Sequence, residues 1–87
     1  GIQVELSHHQ GLVNIEVDTV NEVGQFLNDA QVELTVVKPN LGRDKSTISQ
    51  QAPGQYTSSF EARQPGAYHV EIAVKMGGNE VYRQSRG

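Results

Sequence analysis

The sequence lacks cysteine and tryptophan altogether. Without cysteine the protein has no disulfide bond, no thiolate nucleophile and no zinc site built on sulfur ligands. Because no covalent cross-link supports the chain, we expect the hydrophobic core alone to hold the fold and the stability to be modest.

Basic residues and long apolar runs are also scarce. Only seven Lys and Arg occur, they do not cluster, and the net charge is −3. A nucleic-acid partner is therefore not expected, because phosphate binding needs a basic face. No apolar run approaches the ~18 residues of a membrane-spanning helix, so we do not expect the domain itself to span a membrane.

The residues that are present indicate a folded domain. Hydrophobic residues are only 36 % of the chain and charged residues 20 %, but disorder at low hydrophobicity usually requires a higher net charge. The apolar residues are spread evenly and are rich in valine, which favours β-structure. We predict one domain over residues 1–87 and expect it to be part of a larger protein.

Apolar and polar residues alternate along most of the chain, which is typical of strands with one buried face. The clearest alternation extends from Tyr68 to Met76. No segment shows the i, i+3, i+4, i+7 spacing of an amphipathic helix, so the chain is predicted to be all-β. The predicted strands are 2–8, 12–20, 31–38, 46–50, 55–62, 67–76 and 80–85.

Turn-forming residues separate these strands at intervals of about 8–12 residues, a spacing typical of an immunoglobulin-like sandwich. The predicted fold is therefore an immunoglobulin-like antiparallel β-sandwich of about seven strands. Gly77-Gly78-Asn79 predicts a tight hairpin between the last two strands, because glycine adopts positive φ without strain.

The polar segment 39–51 is interpreted as a loop followed by a short edge strand at 46–50. The charged residues Arg43, Asp44 and Lys45 would discourage pairing of this edge with another chain. Whether the strand pairs with one sheet or switches to the other is left open.

The pattern Pro-Gly-x-Tyr occurs twice, at Pro53–Tyr56 and at Pro65–Tyr68. Both copies are interpreted as turns that lead into a strand. Tyr68 occupies the position of a tyrosine corner, in which the hydroxyl bonds to nearby backbone. Tyr56 is expected to join Phe60 in the core or to lie at the end of the sandwich.

Residues 54–85 combine Gly-x-Tyr, two alternating strands, the second Pro-Gly-x-Tyr and a glycine-rich hairpin. This segment resembles the second half of filamin-type immunoglobulin-like repeats. It is more similar still to the immunoglobulin-like domain of bacterial membrane-anchored proteins that also carry von Willebrand factor A-like or glutamine-amidotransferase-like domains. The resemblance implies a non-catalytic accessory domain on the extracytoplasmic face of a bacterial membrane, and it transfers no functional residue.

The histidines and the loop carboxylates are the residues that could bind a metal ion. A site built from His8 or His9 with His69 and Glu71 requires their strands to be neighbours, and solvated histidines are the default expectation. Calcium sites on sandwiches usually show clusters such as Asp-x-Asp, which are absent here. The carboxylates considered for calcium are Asp18, Glu22, Asp29 and Asp44. No metal and no cofactor is predicted.

Catalytic motifs are missing as well. No Gly-x-Ser-x-Gly or phosphate-binding loop occurs, and the candidate hydrolytic carboxylates are the polar partners of alternating strands. These are Glu5, Glu16, Glu33, Glu61 and Glu71. No catalytic residue is predicted, and the protein is not expected to be an enzyme.

The expected function is that of a structural or interaction module whose partners are other domains of the same polypeptide or other proteins. The alternative is a ligand-binding module for carbohydrate or for an extended peptide added at an edge strand. Carbohydrate binding would use exposed aromatics, of which Tyr82 is the one expected to be exposed. Strand addition would use an unpaired strand at 31–38 or 80–85.

Overall fold

The computed structural model describes residues 1–87 and contains seven β-strands and no helix, so the predicted all-β class is confirmed. The strands are β1 (Ile2–His9), β2 (Leu12–Thr19), β3 (Gln31–Val37), β4 (Arg43–Ala52), β5 (Gln55–Glu61), β6 (His69–Met76) and β7 (Asn79–Arg86).

All seven strands belong to one curled antiparallel sheet with the order β1-β2-β5-β4-β3-β6-β7. Every neighbouring pair in this order is antiparallel. Because direction alternates along the order, the two edge strands β1 and β7 run the same way.

Strand β4 corrects the prediction of a loop and a short edge strand. It is ten residues long and lies in the middle of the sheet. Its first half pairs with β3 and its second half with β5, with a β-bulge between Gln50 and Ala52. The strand therefore switches partners, and this joins the two halves of the sheet.

The composition of β4 explains why alternation alone missed it. Ile48 is its only buried residue, so no row of apolar side chains marks the strand. The charged residues do not protect an edge, since they pair across strands. Arg43 bonds Glu71 at 2.9 Å and Lys45 lies 3.8 Å from Glu33.

Two tight turns connect sequential strands as the sequence indicates. The Gly77-Gly78 turn joins β6 to β7, with φ angles of 56° and 81°. Gln10 and Gly11 join β1 to β2 with φ angles of 49° and 80°. Positive φ at both central residues is the geometry of two-residue hairpins.

The two halves of the sheet enclose a single core. Its aliphatic residues come from both halves, and Tyr56 is its only aromatic member, at 1 % exposure. Phe60 and Tyr68 pack against its margin. The core residues are Val4, Ile15, Val17, Val32, Leu34, Val36, Ile48, Tyr56, Val70, Ile72 and Val74.

Candidate functional site

The loop between β2 and β3, residues 20–30, is fastened to the core by Tyr56. The Tyr56 hydroxyl donates to the carbonyl of Leu27 at 2.7 Å and accepts from the N–H of Ala30 at 2.9 Å. The Tyr56 ring is fully buried, and the two hydrogen bonds lie in a part-buried site. The tyrosine thus fixes the path of the loop.

A second anchor for this loop is the turn between β4 and β5. Thr19 is fully buried, and its hydroxyl lies within hydrogen-bonding distance of the carbonyls of Leu27 and Gly54 at 3.1 and 2.9 Å. The N–H of Gly54 donates to Asn28 Oδ1 at 2.9 Å. Gly54 has a φ of 65°, and a Cβ there would lie 2.6 Å from the Thr19 carbonyl oxygen.

The tip of the loop is a compact turn organised by Asn21. Its side-chain oxygen accepts from the N–H groups of Val23 and Gln25, both at 3.0 Å. The turn presents Val23 to solvent with 77 % of its surface exposed.

An open, mainly apolar cavity of about 590 Å³ lies between this loop tip, the start of β1 and the hairpin of β6 and β7. We call it the end cavity. Its aliphatic lining comprises Ile2, Val20, Val23, Leu27, Met76 and Val81. Val81 is 51 % exposed and stands at a register shift between β6 and β7. The volume falls in the range of roughly 300–1,000 Å³ that is usual for binding pockets.

The end cavity continues into the gap between the edge strands, which we call the β1–β7 seam. No backbone pairing joins these strands, but the Arg86 guanidinium donates to the Val4 carbonyl at 2.8 Å. The Tyr82 hydroxyl and the Gln84 amide lie 2.5 Å apart. With the amide nitrogen turned to Tyr82, the amide oxygen accepts from Arg86 Nη2 at 2.9 Å. One side chain, Arg86, therefore bridges the seam, and Tyr82 and Gln84 of the same strand bond to it in series.

The outer face of β4, β3, β6 and β7 carries a network of ion pairs. Lys75 bonds Glu33 at 3.1 Å and holds the pKa of Glu33 below its usual value, with help from Lys45. Arg83 bonds Glu80 at 2.7 Å and lowers the pKa of Glu80. The cations of this face pair with carboxylates of the same face, and most of these ion pairs link different strands of the sheet.

The outer face of β1, β2 and β5 is different because Glu5, Glu16 and Asp18 have no cation partner, and only Glu61 at the end of β5 pairs with a cation, Arg63, at 3.0 Å. Glu5 is directly opposite Glu16 in the register of β1 and β2. Repulsion from Asp18 raises the pKa of Glu16, and Glu5 adds to the effect. Like charges facing each other across strands destabilise a sheet, so this face retains unfavourable charge.

The predicted tyrosine corner at Tyr68 has the expected contact. Its hydroxyl accepts from the N–H of Gln64 at 2.8 Å, four residues upstream, and its ring centroid is 6.2 Å from that of Phe60. Tyr68 acts in the corner between β5 and β6 as a structural residue. Tyr82, expected to be exposed, instead packs against the core and is half-buried.

The candidate metal residues do not come together. His8 and His9 lie on β1 while His69 and Glu71 lie on β6, and four strands separate β1 from β6 in the sheet order. No three His, Asp or Glu side chains form a metal-binding group. The loop carboxylates considered for calcium are likewise dispersed. Asp44, for example, pairs with Lys38 at 3.3 Å on β4.

The five candidate hydrolytic glutamates lie on the two outer faces. Glu33 and Glu71 are more enclosed than expected, with side-chain exposures of 14 % and 22 %, because cations cover them. Glu5 and Glu61 are exposed.

A long apolar helix of the kind that crosses membranes is absent from the structure.

Alternation did not identify the exposed residues of the end cavity. Val23 lies in a loop rich in turn residues and is 77 % exposed. An apolar residue inside such a loop was the one feature of the sequence that could have indicated an exposed contact residue. Val81 and Tyr82 break the alternation of β7, which is the sequence trace of the register shift at that point.

Comparisons with protein-family models, with curated proteins and with solved structures found no match.

Proposed function

We propose that this chain is a non-catalytic immunoglobulin-like module that docks or spaces the other domains of a larger bacterial protein. The strand order supports the architecture. In immunoglobulin constant domains one sheet holds the first, second, fifth and fourth strands, and the other holds the third, sixth and seventh. The groups β1-β2-β5-β4 and β3-β6-β7 have the same order, and here the β3–β4 pairing connects them.

The hydrogen bond of Tyr68 is a second feature that supports this assignment. A tyrosine at the corner between the fifth and sixth strands, bonded to upstream backbone, is a hallmark of immunoglobulin-like sandwiches. The filamin-like character, the bacterial membrane-anchored parent protein and the extracytoplasmic location rest on the resemblance of residues 54–85.

The end cavity is the observation that carries the docking role. Val23 and Val81 expose 77 % and 51 % of their surfaces at its rim, and the other exposed apolar residues, Leu12, Phe26 and Leu41, do not line this cavity. Exposed apolar surface with a polar surround marks interaction sites on soluble domains. We therefore place the contact with a neighbouring domain or protein at this end of the sheet.

Site-specific photo-crosslinking tests this role in the full-length protein in its native cells. A photoreactive amino acid at position 23 or 81 is expected to give a discrete adduct with a domain of the same polypeptide or with one protein. The matched control is position 40, because Asn40 is an exposed turn residue that does not line the cavity. Adducts that are no stronger at 23 and 81 than at 40 would overturn the proposal.

Strand addition is a second candidate, and the open edge of β1 favours it. Strand 31–38, one of the two expected sites, is excluded because β3 pairs on both sides. The other, β7, is an edge strand but contains a register shift and arginines, which are features that protect edges. Carbohydrate binding has less support, because Tyr82 faces the core and Phe26 is the only exposed large aromatic.

A further inference from the structure

The outer edge of β1 is the less protected of the two edges of the sheet. Residues 5–9 contain no lysine, arginine, proline or bulge, and these are the devices by which proteins shield sheet edges. The side of β1 that faces away from β2 therefore offers free N–H and C=O groups for pairing. This edge carries an inference that deepens the strand-addition candidate and does not depend on the end cavity.

The free groups of β1 can be assigned from its hydrogen-bonding pattern. The carbonyl of Gly1 accepts from the N–H of Val20. In an antiparallel pair the residues that bond the partner alternate along the strand, so the odd-numbered residues face β2. The backbone N–H and C=O groups of the even-numbered residues Val4, Leu6 and His8 therefore point away from β2. Val4 already has a partner, because its carbonyl accepts from Arg86.

We infer that β1 pairs antiparallel with β1 of a second copy of this chain, with Ser7 on the two-fold axis. In this register Leu6 lies opposite the His8 of the second copy, and each pair exchanges two hydrogen bonds. It uses the free backbone groups of Leu6 and His8 and leaves the Arg86–Val4 contact intact. A register centred on Leu6 would require the Val4 carbonyl, and one centred on Glu5 would place two carboxylates face to face.

Charge complementarity supports the same register. It places Glu5 opposite the His9 of the second copy on the outer face, as a pair in which side chains approach closely. Glu5 has no cation partner within its own chain and faces Glu16. His9 is exposed beside Leu12, Glu61 and Arg63. The imidazole of the second copy therefore offsets carboxylate repulsion that the single chain retains.

The size of the contact predicts a weak, concentration-dependent dimer. One strand pairing buries less than the ~1,200 Å² that is typical of stable complexes. Sedimentation equilibrium from micromolar to millimolar concentration should show a monomer–dimer equilibrium. A strictly monomeric protein over this range overturns the inference.

Proline at position 8 tests the backbone pairing. The N–H of His8 points away from β2, so His8→Pro removes an outward donor without breaking the β1–β2 ladder. Two inter-chain hydrogen bonds are lost per dimer, and dimerisation should weaken about tenfold or more. The control is Val81→Asp, which changes the end cavity and β7. Dimerisation that is sensitive to Val81→Asp and insensitive to His8→Pro would place the contact elsewhere.

Charge exchange tests the register and remains informative if the proline variant does not fold. Glu5→Lys and His9→Glu should each dimerise several-fold more weakly than the wild type. An equimolar mixture should form heterodimers, since Lys at position 5 then faces Glu at position 9 and the native pair is kept on the other side. A mixture that associates no more tightly than the separate variants contradicts the inference.

A folding measurement separates this effect from loss of structure. Glu5→Lys removes the repulsion between Glu5 and Glu16, so the monomer should be at least as stable in urea as the wild type. A variant that is more stable yet associates less is the combination expected from an interface role of Glu5. Weaker association that is accompanied by unfolding of the monomer would count against that role.

Discussion

Two tyrosines of this protein stabilise its loops through hydrogen bonds from their hydroxyls to loop backbone. Tyr56 and Tyr68 both follow a Pro-Gly turn, and both hydroxyls bind backbone groups. Their surroundings differ, because Tyr56 is fully buried whereas Tyr68 serves an exposed N–H at Gln64. Two copies of one sequence pattern are therefore expected to contribute unequally to stability.

Phenylalanine substitutions test this inequality. Tyr56→Phe leaves the groups of Leu27 and Ala30 without their partner in a part-buried site, and should lower the free energy of unfolding by about 1–3 kcal/mol. Tyr68→Phe is the matched control and should cost less than about 1 kcal/mol, since water can replace the hydroxyl. Urea denaturation monitored by circular dichroism gives both values. Equal losses would contradict the assignment of Tyr56 as the main loop anchor.

Gly54 is the glycine whose replacement should cost most. A Cβ would meet the Thr19 carbonyl at 2.6 Å and the Phe26 ring at 2.7 Å, in addition to the strain of a φ of 65°. Gly54→Ala should therefore destabilise by roughly 2–4 kcal/mol, from backbone strain and overpacking together. Gly77→Ala has a similar φ of 56° and no atom within 4 Å, so about 1–2 kcal/mol is expected. Thermal unfolding of the two variants isolates the steric contribution.

Individual strands were largely predictable, because alternation is a local property of the sequence. The predicted strand 67–76 differs from β6 only at its first two residues. Strand β4 was not predictable in the same way, since its single buried side chain, Ile48, gives no periodic signal. Its position depends on tertiary pairing with β3 and β5 and on ion pairs with residues distant in sequence.

The two outer faces of the sheet should respond to pH in opposite directions. Lys75 lowers the pKa of Glu33, so ionised Glu33 stabilises the fold above about pH 4.5, and this is lost as the pH falls through the lowered pKa. Asp18 raises the pKa of Glu16. The resulting penalty is therefore complete above the raised pKa and disappears as the pH falls toward the ordinary value near 4.5.

Glutamine substitutions separate these two contributions. At pH 7, Glu33→Gln should destabilise the protein and Glu16→Gln should stabilise it, because each replaces a charged carboxylate by a neutral isostere. Both differences from the wild type should shrink when unfolding is repeated at pH 3. A shift of the same sign for the two variants at pH 7 would contradict the contrast between the faces.

At the scale of the whole molecule, the open seam between β1 and β7 connects the first and last strands of the chain. The end cavity at its mouth was beyond the reach of sequence patterns, because its walls come from segments far apart in the chain, such as Ile2, Val23, Met76 and Val81. Local alternation cannot show that these side chains meet. The contacts across the seam determine how strongly the two edge strands β1 and β7 are joined.

Arg86 is the residue expected to control this closure. Its guanidinium donates to the carbonyl of Val4 at 2.8 Å, across 82 residues of sequence. Arg86→Met keeps much of the apolar stem but removes this charged hydrogen bond, and should cost about 1–3 kcal/mol of unfolding free energy. Arg86 makes the only hydrogen bond from the rest of the chain to the outer edge of β1. In the Arg86→Met variant the amide hydrogens of β1 should therefore exchange faster than in the wild type, whereas those of β2 should change less. Arg63→Met is the control, since Arg63 pairs only with exposed Glu61, and its effect should stay within about 0.5 kcal/mol. Unchanged exchange in β1 of the Arg86 variant would show that backbone packing alone holds the seam.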